Sequence, residues 1–247
     1  MSAGNAEAGS AILRLDDVHT DIGRYHVLHG VTLDVPEGGV HVLLGRNGAG
    51  KTTTLRTIMG LWRARKGAVS FRGRDITRLR TPDIARLGVA YVPENMGVFG
   101  GLTVAENMRL ATTDGTFDKA RLDRVFSLFP AIKKFWDGKA YALSGGQKQM
   151  LAIARAIIER RELILVDEPT KGLAPSIIRD MIGAFREIAA ETTILLVEQN
   201  FLFARSLGET VAVIDDGRVV HRGAMAELAA DEALQTRLLS LSLAAHQ

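Results

Sequence analysis

The chain has 247 residues, 47% of them hydrophobic and 24% charged, with a formal net charge of +3 and no cysteine. That length allows one domain, or a domain with a subdomain, around a substantial core. The composition excludes a disulfide framework and a thiolate metal site, the small spread-out charge makes no case for a nucleic-acid face, and no run approaches the ~18 consecutive apolar residues of a membrane span.

Met1–Ser10 is small and polar, lacks the basic start and apolar stretch of a signal peptide, and reads as a disordered tail over 1–10. Ile12–Val18 and Val31–Val35 alternate apolar and polar residues, and Ala68–Phe71 does the same. These predict three short strands of an antiparallel sheet beside the main one. Between them, Val40–Leu44 is an apolar run that reads as a buried strand.

That strand leads into Gly45-Arg46-Asn47-Gly48-Ala49-Gly50-Lys51-Thr52, which fits the phosphate-binding pattern G-x-x-x-x-G-K-[ST]. A helix start over Thr53–Met59 completes the strand, glycine loop and helix that the motif requires. The glycines let backbone N–H groups close on phosphate oxygens. The helix adds its positive dipole end. Lys51 would reach the β- and γ-phosphates, and the Thr52 hydroxyl would ligate Mg²⁺.

Helical stretches then dominate: Thr103–Ala111, Asp118–Phe129 and Gln147–Arg160. Residues 97–160 therefore read as a helical insertion in an α/β core made of 11–96 and 161–224. Leu143-Ser144-Gly145-Gly146-Gln147 opens the last of those helices, with Ser144 as an N-cap or a phosphate donor. Leu163–Val166, Ile194–Val197 and Val211–Ile214 read as buried parallel strands. The first runs into Asp167 and Glu168. Such a strand is expected beside the phosphate-loop strand, with Asp167 on Mg²⁺ and Glu168 placed to polarise an attacking water. The tail, 225–247, is predicted as a C-terminal helix, its pattern clearest over Met225–Leu243.

The order of phosphate loop, Leu-Ser-Gly-Gly-Gln, Asp-Glu strand and polar switch resembles the nucleotide-binding subunit of an ATP-binding-cassette (ABC) transporter, from about Ile12 to about Leu243. The resemblance implies an α/β P-loop ABC-ATPase fold: a mixed sheet core with an antiparallel β subdomain and a helical insertion. It implies Mg²⁺-dependent ATP hydrolysis, with Thr53 joining Gly45–Thr52 around the phosphates. It also implies a head-to-tail dimer in which Ser144, Gly145, Gly146 and Gln147 of one subunit reach the γ-phosphate held by the other.

Four positions depart from the common ABC pattern. Glu94, in Val92-Pro93-Glu94, stands where a Gln is usual, near the metal. Ala174, in Gly172-Leu173-Ala174-Pro175, replaces an Asp. Gln199, in Val197-Glu198-Gln199-Asn200, replaces the switch His. Ile22 occupies the place of the adenine-stacking aromatic, with Tyr25 as its substitute.

The first three changes occur together in one ATPase subunit type of branched-chain amino-acid importers, which this chain resembles. That likeness implies membrane permease subunits and a second ATPase subunit as partners, in a heterodimer or a homodimer. A periplasmic or extracellular solute-binding protein would act indirectly. It also implies a peripheral place on the cytoplasmic face of the inner membrane and no nucleic-acid partner. Urea and short-chain amide importers stay open as alternatives. A soluble ABC protein of DNA repair or translation fits less well, since this chain has one cassette and no coiled-coil or basic arm. A P-loop GTPase is disfavoured by the lack of an Asn-Lys-x-Asp motif.

Overall fold

The computed structural model describes residues 11–239. Alternating side chains build β1 (Ala11–Ile22) and β2 (Tyr25–Pro36) into one long hairpin, closed by the pair Ile22–Tyr25. Both strands run well beyond the short segments predicted. β1 absorbs Asp16 and Asp17 in a bulge, with Asp17 at φ 46°, and so keeps Leu13, Leu15 and Val18 on the buried face.

β3 (Val40–Gly45) follows, then α1 (Lys51–Ile58), β4 (Ala64–Phe71), the two-residue β5 (Arg74–Asp75), α2 (Thr81–Arg86) and β6 (Val89–Val92). The antiparallel sheet has the order β2-β1-β4-β5. Four helices come next: α3 (Val104–Arg109), α4 (Lys119–Leu128), α5 (Pro130–Lys134) and α6 (Gly145–Ile157). Thr103 and Ser144 start α3 and α6 with reciprocal capping boxes to Glu106 and Gln147.

The chain then alternates through β7 (Leu163–Asp167), α7 (Pro175–Ala189), β8 (Thr193–Glu198), α8 (Phe201–Leu207) and β9 (Thr210–Asp215). It ends in β10 (Arg218–Ala224), α9 (Met225–Ala230) and α10 (Glu232–Leu239). The predicted single C-terminal helix is two. The chain turns extended at Asp231 (φ −109°, ψ 93°), whose carboxylate caps α10 through the Leu234 N–H at 2.8 Å. The predicted tail over 1–10 and the stretch 240–247 lie outside the described residues.

The second sheet has the order β10-β9-β3-β8-β7-β6, parallel throughout except for β10. The strand carrying Asp167 is therefore not beside the phosphate-loop strand, as expected. β8 lies between them and brings Glu198 level with Leu44 of β3. β3, β7 and β8 are buried on both faces, and β9 nearly so, which is why they read as continuous apolar runs. Leu43, Leu165, Leu195 and Ile214 pack toward the antiparallel sheet and α1, whereas Val42, Ile164, Leu196 and Val213 pack toward the helices. The C-terminal ends of β3, β8 and β7 converge on one edge.

Candidate functional site

The phosphate loop is shaped by close packing at both ends. A Cβ on Gly45 would stand 2.5 Å from the Ile214 carbonyl of β9. Gly50 adopts φ 107°, a left-handed conformation that glycine takes without strain, and starts α1 as its N-cap residue. The N–H groups of the first turn, from Lys51 to Thr53, have no carbonyl behind them within the helix, so they point outward as donors. Arg46, Asn47 and Gly48 form the exposed crest of the loop.

Lys51 is only 4% exposed, and its ammonium spends all three donors. Two go to the carbonyls of Gly45 (2.9 Å) and Arg46 (3.0 Å), and the third meets Glu168 Oε1 at 2.9 Å. Glu168 itself sits at φ 45°, a left-handed conformation costing on the order of 1–3 kcal/mol for a non-glycine residue. Its backbone N–H donates to the Val197 carbonyl of β8 at 2.9 Å, which fixes the turn.

Thr52 Oγ1 donates to Asp167 Oδ1 at 3.0 Å although β8 separates their strands, because α1 starts above the sheet edge and leans toward β7. The other oxygen, Oδ2, accepts from the Tyr91 hydroxyl at 3.1 Å. Burial pushes the Asp167 carboxyl above its usual range. The Thr52 and Tyr91 donors pull it down, and the charges of Glu168 and Glu94 push it up again. Burial also raises the Tyr91 phenol, helped by the Asp167 charge and opposed by a bond from Arg56. Tyr91 and Arg56 belong to this network and went unread in the sequence.

The donor set suits Mg²⁺, a hard ion that takes one or two carboxylates and fills its remaining positions with phosphate and water oxygens. Thr52 and Asp167 offer adjoining hydroxyl and carboxylate oxygens of that kind. Among the described residues no group of three or more His, Cys, Asp or Glu is placed to hold a metal ion. Glu94, expected near the metal, makes an ion pair with Lys171. It acts on Asp167 through its charge and makes no bond to the Thr52–Asp167 pair.

Gln199 follows β8 directly and is exposed at the same edge. Tyr25 and Ile22 face each other at the hairpin tip; Tyr25 is 63% exposed, with the Arg24 guanidinium 5.3 Å from its ring centre. Ser144 and Gly145 are exposed at the start of α6. Gly146 is buried, and a Cβ there would come within 2.9 Å of Ile177 in α7, so helix packing already accounts for that glycine.

The family model for ABC transporters matches residues 28–171. A high-affinity branched-chain amino acid transport ATP-binding protein of Pseudomonas aeruginosa, BraG, is 38% identical over 212 residues, covering 85% of this chain and 91% of that protein. A probable branched-chain amino acid transport ATP-binding protein of Archaeoglobus fulgidus, LivF, is 36% identical over 222 residues, covering 88% and 94%. A solved ATP-binding subunit of an ABC transporter superposes with a TM-score of 0.79 at 28% identity, covering 94% of this chain and 99% of that one. With its phosphate loop, its Asp167-Glu168 strand end and its two-sheet architecture, this chain belongs to the ABC transporter family as an ATP-binding subunit whose ATP hydrolysis is coupled to transport.

Proposed function

We propose that this chain powers an importer of branched-chain amino acids, and that Lys51, Thr52, Asp167, Glu168 and Gln199 are its half of the hydrolytic site. The observation that carries the catalytic part is the convergence of Lys51 and Glu168, 2.9 Å apart, beside Thr52 and Asp167 at one sheet edge. The solute class rests on the two relatives named for branched-chain amino acids, each matched over most of its length.

ATP would lay its phosphates over Gly45–Thr53, with α1 N–H groups and Lys51 on the β- and γ-oxygens. Thr52 and Asp167 would hold Mg²⁺, which when bound neutralises phosphate charge. Glu168 accepts a proton from the attacking water as that oxygen joins the γ-phosphorus and ADP leaves. Gln199 donates a hydrogen bond to the γ-phosphate and, unlike His, carries no charge. Ser144, Gly145 and Gln147 serve the nucleotide bound by a partner subunit.

Tyr25 would stack on adenine, since only an aromatic face gives broad overlap. Tyr25→Ala is expected to weaken ATP binding by about two- to tenfold, and Ile22→Ala by less. Equal losses, or none, in a fluorescent-nucleotide titration would remove Tyr25 from the site.

Subunits of this family act with permeases and as dimers. No helix among the described residues is long and apolar enough to cross a membrane, so a membrane position for this chain would come through such partners. We assign a heterodimer with a second ATPase subunit, in which Ala174 and Gln199 make the two sites chemically unequal. The chain alone is expected to hydrolyse ATP slowly, and faster per site when reconstituted in vesicles with its permease and second ATPase subunit. Leucine delivered by the solute-binding protein should raise the rate again. A rate indifferent to partners and solute would refute this assignment.

A further inference from the structure

Glu198 is the last residue of β8 and is 2% exposed, with no Lys or Arg in an ion pair with its carboxylate among the described residues. Its Oε1 accepts the Thr170 N–H at 3.2 Å and the Thr170 hydroxyl at 2.7 Å. Its Oε2 accepts the N–H groups of Gln199 and Asn200, both at 3.0 Å. Four donors and no acceptor face the two oxygens, which is the environment of an ionised carboxylate. Burial pushes the carboxyl up, and these donors oppose it.

Thr170 lies two residues beyond Glu168, and Gln199 lies one beyond Glu198. The Glu168 N–H already bonds to Val197, the residue before Glu198. Two chain segments, one bearing the proposed base and one the proposed switch, are thus fastened to each other at adjacent points. Between those points Glu168 holds its left-handed turn. Strained conformations of this kind persist only where the surroundings over-determine them.

We propose that Glu198 is a positioning residue for ATP hydrolysis: it locks the turn after Glu168 to the start of the Gln199 segment, so that base and switch meet the γ-phosphate in one fixed relation. This rests on the roles given above to Glu168 and Gln199. A carboxylate is needed because an amide would set its NH₂ against the N–H groups of Gln199 and Asn200 in one orientation and against the Thr170 N–H in the other.

The test is a set of variants, each assayed well below its own melting temperature and normalised to nucleotide-binding sites. Glu198→Gln is expected to lower kcat about tenfold or more while KM for ATP stays within about twofold. Thr170→Val should lower kcat in the same way, and Thr170→Ser should restore it. In a Gln199→Ala background, Glu198→Gln should cost much less than it does alone, since both changes disturb one unit.

A wild-type kcat in Glu198→Gln with only a lowered melting temperature would overturn the proposal, and so would losses that multiply fully with Gln199→Ala. If Glu198→Gln does not fold, the Thr170 pair decides. Glu168→Gln serves as the control. If it abolishes turnover while Glu198→Gln and Thr170→Val do not, the positioning role alone fails; if Glu168→Gln leaves turnover intact, the assignment of the base fails.

Discussion

Lys51→Ala should lose tight ATP binding. The ammonium is the one cation buried inside the phosphate loop, and its three donors already converge on the loop carbonyls and Glu168. In the complex some of these donors pass to phosphate oxygens, with hydrogen bonds between fully charged partners. Each is worth about 1.5–3 kcal/mol, so losing two weakens binding roughly 100-fold or more. The Glu168 carboxylate, left without its cation, would also repel the γ-phosphate. Titration with a fluorescent ATP analogue measures this directly. Wild-type affinity in the variant would mean that Gly45–Thr52 does not hold the phosphates.

Glu168→Gln should stop turnover yet strengthen ATP binding. The amide keeps the shape of the side chain and cannot accept the proton of the attacking water, and general-base catalysis typically supplies ~10²–10⁴-fold. The gain in affinity comes from the Lys51–Glu168 pair. With the carboxylate present, Lys51 must exchange a 2.9 Å ion pair for phosphate, and that competition disappears in the variant. Phosphate release and equilibrium binding, measured on the same preparation, check both halves. Unchanged turnover would remove Glu168 as the base; weaker binding would show that the ion pair does not compete with nucleotide.

The phosphate loop was legible because local features carry it: an apolar run, spaced glycines and a helix start lie within one short segment. The same holds for Asp167 and Glu168 at the end of an apolar strand. The position of β8 between β3 and β7 was not legible, because pairing order depends on how helices pack across both faces of the sheet. Tyr91 lies in β6, which the sequence pattern did not reveal, and its bond to Asp167 joins positions 76 apart in the chain. Glu198 was visible only as a neighbour of Gln199, and its partner Thr170 is 28 positions away. Glu94 was placed near the metal because it stands where the ABC pattern usually has a Gln; its ion pair with Lys171, 77 positions away, was not legible. The hairpin of β1 and β2 was underestimated at its tip, where His19, Thr20, Asp21, His26 and His29 interrupt the apolar pattern although the strands go on pairing to Ile22 and Tyr25.

The most direct test of the hydrolytic site is the identity of the nucleotide that the protein keeps. The Glu168→Gln chain is incubated with Mg²⁺ and ATP, passed rapidly through a desalting column, denatured and analysed by chromatography. Intact ATP bound in near-stoichiometric amount, with the wild-type chain yielding ADP under the same conditions, is the predicted result. ADP at the wild-type level in the variant, or no retained nucleotide in either protein, would contradict it.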